Sequence, residues 1–181
     1  DLKESTLKPS LGFKTALYDI QGRYSRSLLG PLWITISMGI MICSLGFLYS
    51  SLFGLKLGEY IPFLTLGFAI WALISGIINE SSNVLIQSTG LIKQSRFPIT
   101  SYFLRVGFRN IFVFFHNLII FFIVAIIFDV QMTWGWLLAI PALLICSATS
   151  ICIGLGIGVL SARFRDLPVV TSNVLQVSFF L

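Results

Sequence analysis

Charge is what this sequence has least of. Asp, Glu, Lys and Arg make up 10% of its 181 residues, against roughly 25% in an ordinary soluble domain, which excludes a water-soluble globule. Disorder is excluded as well, because 56% of the residues are hydrophobic and disordered chains combine low hydrophobicity with high net charge. Histidine occurs once, at His116, and cysteine at Cys43, Cys146 and Cys152 only. None of these stands at zinc-ligand spacing, and cysteines inside apolar stretches make no disulfide framework. They read as small apolar packing residues. A Walker A sequence is absent, and so is any set resembling Ser/His/Asp, so nucleotide hydrolysis and hydrolytic catalysis are not expected of this chain. No catalytic, cofactor-binding or metal-binding residue is assigned. A cleavable signal peptide is not expected either, because Asp1 to Arg26 lacks a short apolar core and a small-residue cleavage site.

What the sequence has in abundance is long apolar runs, and its mean hydropathy is +0.94. No charge falls between Arg26 and Lys56, Glu59 and Glu80, Arg109 and Asp129, or Asp129 and Arg163. A helix crosses a ~30 Å hydrocarbon core in about 20 residues, and each gap is close to that length or longer. A further apolar stretch opens after Pro168 and runs to Leu181. Barrel strands would alternate apolar and polar residues, whereas Leu118 to Ile127 does not alternate. The expected fold is therefore all-α: a polytopic helical membrane protein with spans at about 31–54, 61–86, 108–128 and 136–160 and a truncated fifth at 168–181. Residues 1–29 form a separate amino-terminal segment, and 30–181 the transmembrane domain.

The net charge of +5 would point to nucleic acid in a soluble protein; in a membrane protein it reflects orientation and anionic headgroups. The positions decide for the second. Lys3, Lys8, Lys14, Arg23 and Arg26 precede the first span, Lys93, Arg96, Arg105 and Arg109 lie between the second and third, and Arg163 and Arg165 follow the fourth. Only Lys56 lies on the opposite side. The positive-inside rule makes the crowded side, and with it the N-terminus, cytoplasmic. Tyr60, Trp134 and Trp136 then sit at the outer interface and Trp33 at the inner one, as aromatic belts do.

Several local patterns stand out. Phe13, Leu17, Ile20, Tyr24 and Leu28 recur at helical spacing, with Lys14, Asp19 and Arg26 off the stripe. This is the pattern of a basic amphipathic helix in the headgroup layer. Gly30-Pro31 then starts a new helix. Small residues stand four apart at Gly46, Ser50 and Gly54, and at Ser150, Gly154 and Gly158, as close helix packing in lipid requires. In the second span Trp71, Ser75, Asn79, Asn83 and Gln87 make an i, i+4 row beside Glu80. Such a row faces other helices or water, and a helix already outside the bilayer near Asn79 would also explain it. His116 is expected to hydrogen-bond a neighbouring helix. Residues 88–98 make a short basic turn, with Lys93, Gln94, Ser95, Arg96, Phe97 and Pro98 at its end; it is either a plain turn or a contact for a soluble partner.

Three stretches together carry a resemblance. Arg23-Tyr24-Ser25-Arg26-Ser27-Leu28-Leu29-Gly30-Pro31-Leu32-Trp33 resembles the entry motif of the ABC-2 type permeases that export polysaccharides such as O-antigen, capsule and teichoic acid. Leu91-Ile92-Lys93-Gln94-Ser95-Arg96-Phe97-Pro98 resembles that family's cytoplasmic coupling loop, and Ser161-Ala162-Arg163-Phe164-Arg165-Asp166-Leu167 the segment after its fourth span. The likeness spans nearly the whole chain and is strongest to lipopolysaccharide O-antigen exporters. It implies a homodimer with six spans per subunit in the bacterial inner membrane. Two copies of a separate ATPase subunit would bind ATP and Mg, and the cargo would be a lipid-linked polysaccharide. It also implies that Phe13, Leu17, Ile20, Arg23, Tyr24 and Arg26 belong to an interface helix, and Lys93 to Pro98 to the ATPase-coupling loop.

A sugar polymer is too long and polar for a small occluded pocket, so a continuous path is the simpler solution. Aromatic rings offer apolar faces to sugar C–H groups, and intramembrane polar groups should face such a path. Phe47, Tyr49 and Phe53 of the first span and Trp71, Ser75 and Asn79 of the second are the candidate lining, repeated on the opposite wall by two-fold symmetry. A secondary transporter or channel is the alternative function, with Glu80 and His116 as its intramembrane ionisable residues. A membrane-embedded enzyme would need a clustered acidic pair or a His/Asp set, and neither appears.

Overall fold

The computed structural model describes residues 32–94, 98–131 and 134–181. The expected amphipathic helix, with Phe13, Leu17, Ile20, Arg23, Tyr24 and Arg26, and the loop residues Ser95, Arg96 and Phe97 lie outside that set. The described residues form helices α1 (Leu32–Phe53), α2 (Leu57–Gln87), α3 (Thr89–Gln94), α4 (Ile99–Ile127), α5 (Ala139–Arg163) and α6 (Leu167–Phe180), with a 3-10 turn over Trp134–Leu138 before α5. No strand occurs among them.

Local chemistry sets the breaks. Gly54, at φ 64°, ends α1 in the left-handed conformation that glycine adopts without a Cβ penalty. Ser50 Oγ donates to the Leu55 carbonyl at 2.7 Å and ties the turn to the helix. Glu59 lies in the first turn of α2, where the helix dipole favours an acid. Asp129, at φ 51°, ends α4 in the same way as Gly54 ends α1, and Val130 N–H donates to the Ala125 carbonyl at 2.9 Å, the six-to-one bond of a Schellman motif. Arg163 sits in the last turn of α5, where a cation suits the dipole. Pro168 stands in the first turn of α6, where its missing N–H is harmless.

One helix extends well beyond its expected span. The third span was expected at about 108–128, and α4 runs from Ile99 through Ile127. Arg105 and Arg109 therefore lie on the same helix as that span. Counting charges marks where the bilayer core should end, but a helix continues past that point for as long as its backbone is unbroken. Pro98, at φ −59°, is the break. The basic turn likewise holds a helix of its own, α3, separated from α2 by Ser88 alone.

α2 is the axis of the bundle, and α1, α4, α5 and α6 all pack against it. At 31 residues it is about 46 Å long at ~1.5 Å per residue, well beyond a ~30 Å core. The centre of the core is Ala69, Leu73 and Ile77 of α2 with Phe114 of α4, backed by Met38, Ile111, Leu118, Leu143 and Ile151. The tightest seam lies between α2 and α5, where Ser147, Ser150, Gly154, Gly158 and Ser161 are all buried. A Cβ on Gly158 would lie 2.6 Å from the Ser81 carbonyl oxygen, so only glycine permits that approach. The small-residue row expected in α1 does not hold together. Gly46 is buried against Ile61, but Ser50 bonds within the turn and Gly54 is exposed as the cap.

Outside this core the surface is apolar. Phe63, Ile126 and Trp134 are more than three-quarters exposed, and patches of this extent are rare on soluble monomers. Four helices, Leu32–Phe53, Leu57–Gln87, Ile99–Ile127 and Trp134–Arg163 with its 3-10 start, are long and apolar enough to cross a membrane, and Leu167–Phe180 is a shorter apolar helix. The chain is an all-α, multi-pass membrane protein.

Candidate functional site

A polar cluster joins α2 to α4. One oxygen of Glu80, Oε2, accepts from Arg109 Nη2 at 2.5 Å, Arg109 Nε at 3.2 Å and Asn110 Nδ2 at 2.6 Å. Asn110 Nδ2 also donates to the Val106 carbonyl at 3.0 Å. The ion pair is largely shielded, with side-chain exposures of 28% for Glu80 and 21% for Arg109. Gly76 sits one turn from Glu80, and a Cβ there would strike Asn110 Oδ1, so the amide lies directly on the backbone of α2. Charge-assisted bonds through the two arginine donors fix both distance and angle between the helices.

Glu80 was visible in the sequence as a charge beside a polar row; its partner was not. A signal was present: Glu80 precedes the end of α2 by seven residues, and Arg109 follows the start of α4 by ten. An acid and a base at similar distances from one turn meet when the two helices pack antiparallel. His116 lies half-buried with its ring 4.6 Å from that of Phe112, and Nδ1 donates to the Phe112 carbonyl at 3.2 Å. Its described bond is thus within α4, not to the neighbouring helix expected. Buried Asn117, one residue on, is only 2% exposed.

The candidate lining residues separate into two groups. At the α1–α2 turn Tyr49 stacks on Phe53 at 5.8 Å and meets Tyr60 edge-on at 6.3 Å. Phe47 and Phe53 are exposed, at 72% and 68%. On α2, Trp71 packs against Phe179 of α6 at 5.8 Å, and Ser75 Oγ donates to the Trp71 carbonyl at 2.7 Å. Asn79 is exposed, and its carbonyl accepts from Ser82 Oγ at 2.7 Å. The polar row from Trp71 to Gln87 thus starts against α6 and ends exposed. The reason is geometric: each i, i+4 step advances about 40° around a helix, so a long row cannot keep to one face.

The basic turn is anchored to α2. Ser88 N–H donates to the Val84 carbonyl at 3.0 Å, and Ile92 N–H to the Ser88 carbonyl at 2.9 Å. Thr89 Oγ1 donates to the Ile86 carbonyl at 2.7 Å. Lys93 and Gln94 are in α3, and Pro98 is the half-buried cap of α4. Among the described residues no group of three or more His, Cys, Asp or Glu could hold a metal ion.

The fold and its polar contacts define a multi-pass helical membrane protein whose central helix carries a short amphiphilic turn at one end. No protein-family model matches the chain, and no curated protein matches it.

Proposed function

We propose that this chain is the membrane-spanning permease subunit of an ATP-driven exporter that moves a lipid-linked, O-antigen-like polysaccharide across a bacterial inner membrane. It works as a homodimer with two copies of a separate ATPase subunit, which binds ATP and Mg. The N-terminus is cytoplasmic, and the basic turn faces the ATPase. The three stretches that resemble polysaccharide-exporting ABC-2 permeases are the basis of the reading. The observation that carries it is the place of the second stretch. Leu91 to Gln94 continue the bonded end of α2, the helix against which every other long helix packs. A chain with no ATP-hydrolysing motif receives work mechanically, and a push at this turn acts on the whole bundle. Phe47, Tyr49 and Phe53 with Trp71, Ser75 and Asn79 form the sugar-facing wall, completed by the second subunit.

Two measurements test the proposal. Cysteines placed at Ser95 and at Thr133 should be labelled from opposite sides, Ser95 from the cytoplasm only. Labelling of Ser95 from outside overturns the orientation. The pair Lys93→Glu and Arg96→Glu should weaken copurification with the proposed ATPase subunit by about tenfold and reduce export alike, with membrane insertion intact, because reversed charges in a docking turn oppose an acidic complement. Normal copurification and export by that double variant would leave the turn without its assigned role.

A further inference from the structure

We infer that the Glu80–Arg109–Asn110 cluster is a clasp that makes α2, α3 and the first turns of α4 move as one lever, carrying force from the basic turn into the third span. The inference deepens the exporter reading and rests on it.

The chain between Glu80 and Arg109 leaves along α2, turns through α3 and returns along α4. The ion pair closes this excursion into a loop, roughly 10 Å from the end of α2 on one arm and about 15 Å from the start of α4 on the other, at ~1.5 Å per residue. Both helices are unbroken where they are joined. On the turn side of the clasp, Phe103 of α4 is fully buried, and it is the side chain nearest Gly158 of α5. The lever is therefore braced against the α2–α5 seam. On the far side, α2 and α4 meet through Ala69, Leu73 and Ile77 against Phe114, Ile111 and Leu118. Apolar contacts resist sliding weakly within a bilayer, because lipid tails offer an equally apolar alternative. The contact that sets register is thus the directional one, in which three donor bonds converge on a single carboxylate oxygen. Gly76 belongs to the same device, because it lets Asn110 reach Glu80 along the surface of α2. A slip of α4 by one turn, about 5.4 Å, would part the ions.

Glu80 and Arg109 touch no substrate in this account; they are positioning residues. The test uses the full chain with its ATPase and compares four readouts: membrane level, copurification of the ATPase, hydrolysis rate and export. The neutral pair Glu80→Gln with Arg109→Gln should keep level, copurification and hydrolysis near native while export falls by about tenfold or more, a size typical of coupling between sites. The exchanged pair Glu80→Arg with Arg109→Glu should recover export that each single reversal loses. A structural role alone would lower hydrolysis and export together, in proportion to protein level. Native export by the neutral pair overturns the clasp. Should the neutral pair be lost from the membrane, the exchanged pair decides: export at native protein level supports the clasp, and its absence at that level overturns it. Failure of the unaltered chain to capture the ATPase would show in the native control. The exporter reading then falls, and the clasp's role in it falls too.

Discussion

Gly158→Ala should lower the thermal stability of the purified protein by about 1–3 kcal/mol, the cost of forcing a methyl group into a filled interface, and Gly158→Leu should abolish accumulation. A Cβ at this position lies 2.6 Å from the Ser81 carbonyl oxygen and 2.5 Å from Phe103 Cε1. The phenylalanine ring can turn aside, but a backbone oxygen in the middle of α2 cannot. The two helices must therefore part, and with them the burial of Ser81 and Ser161, both 0% exposed. Gly154→Ala should behave similarly, since its Cβ meets Ser81 Cβ at 2.7 Å. Gly156, on the same helix, is exposed with nothing within 4 Å of its Cβ position. Gly156→Ala should be neutral or raise stability by about 0.5–1 kcal/mol through helix propensity alone. Melting temperatures in detergent for the three alanine variants separate the cases, and equal effects at positions 156 and 158 would contradict the seam.

Single removal of either ion is the second large effect. Glu80→Ala leaves the Arg109 guanidinium, 21% exposed, without its carboxylate, and Arg109→Ala does the reverse to Glu80. Breaking a fully buried pair costs about 3–5 kcal/mol. The partial exposure here reduces that to about 2 kcal/mol, because solvent takes over part of the lost interaction. Replacing both residues with neutral ones should be less harmful than either single change, since no uncompensated charge remains. A double-mutant cycle on thermal stability measures the coupling, and additive single effects would show that the two side chains do not act together. Gly76→Ala should reproduce a smaller version of the same loss by lifting Asn110 away from Glu80.

The two experiments bear on different kinds of contact. In the α2–α5 seam, stability comes from the absence of side chains, which brings backbones within van der Waals reach where lipid offers no hydrophobic drive. In the α2–α4 contact it comes from charge-assisted hydrogen bonds that converge on one partly shielded carboxylate. Both features sit on α2, which explains why a helix with so many serines and asparagines is nonetheless the centre of the bundle: Thr65, Ser81 and Ser82 are each 0% exposed.

The sequence by itself determined the class of the protein and the number of its long helices. Helices and closed barrels are the two ways to satisfy backbone hydrogen bonds in lipid, and charge-free runs of span length that do not alternate leave only the helix. The glycine and serine row from Ser150 to Gly158 was equally legible, because spacing by four on an apolar helix has one geometric meaning. Tertiary structure alone decided which helix that row meets and that Glu80 and Arg109 are partners across 29 residues of chain. It also decided that the row from Trp71 to Gln87 turns from α6 toward the exterior, and that the matching row in α1 dissolves into a packing glycine, a bonded serine and a cap. The reason is common to all of these. Composition and period report what surrounds a helix on average, whereas a partner depends on the azimuth and height at which two helices meet, and those are properties of the pair.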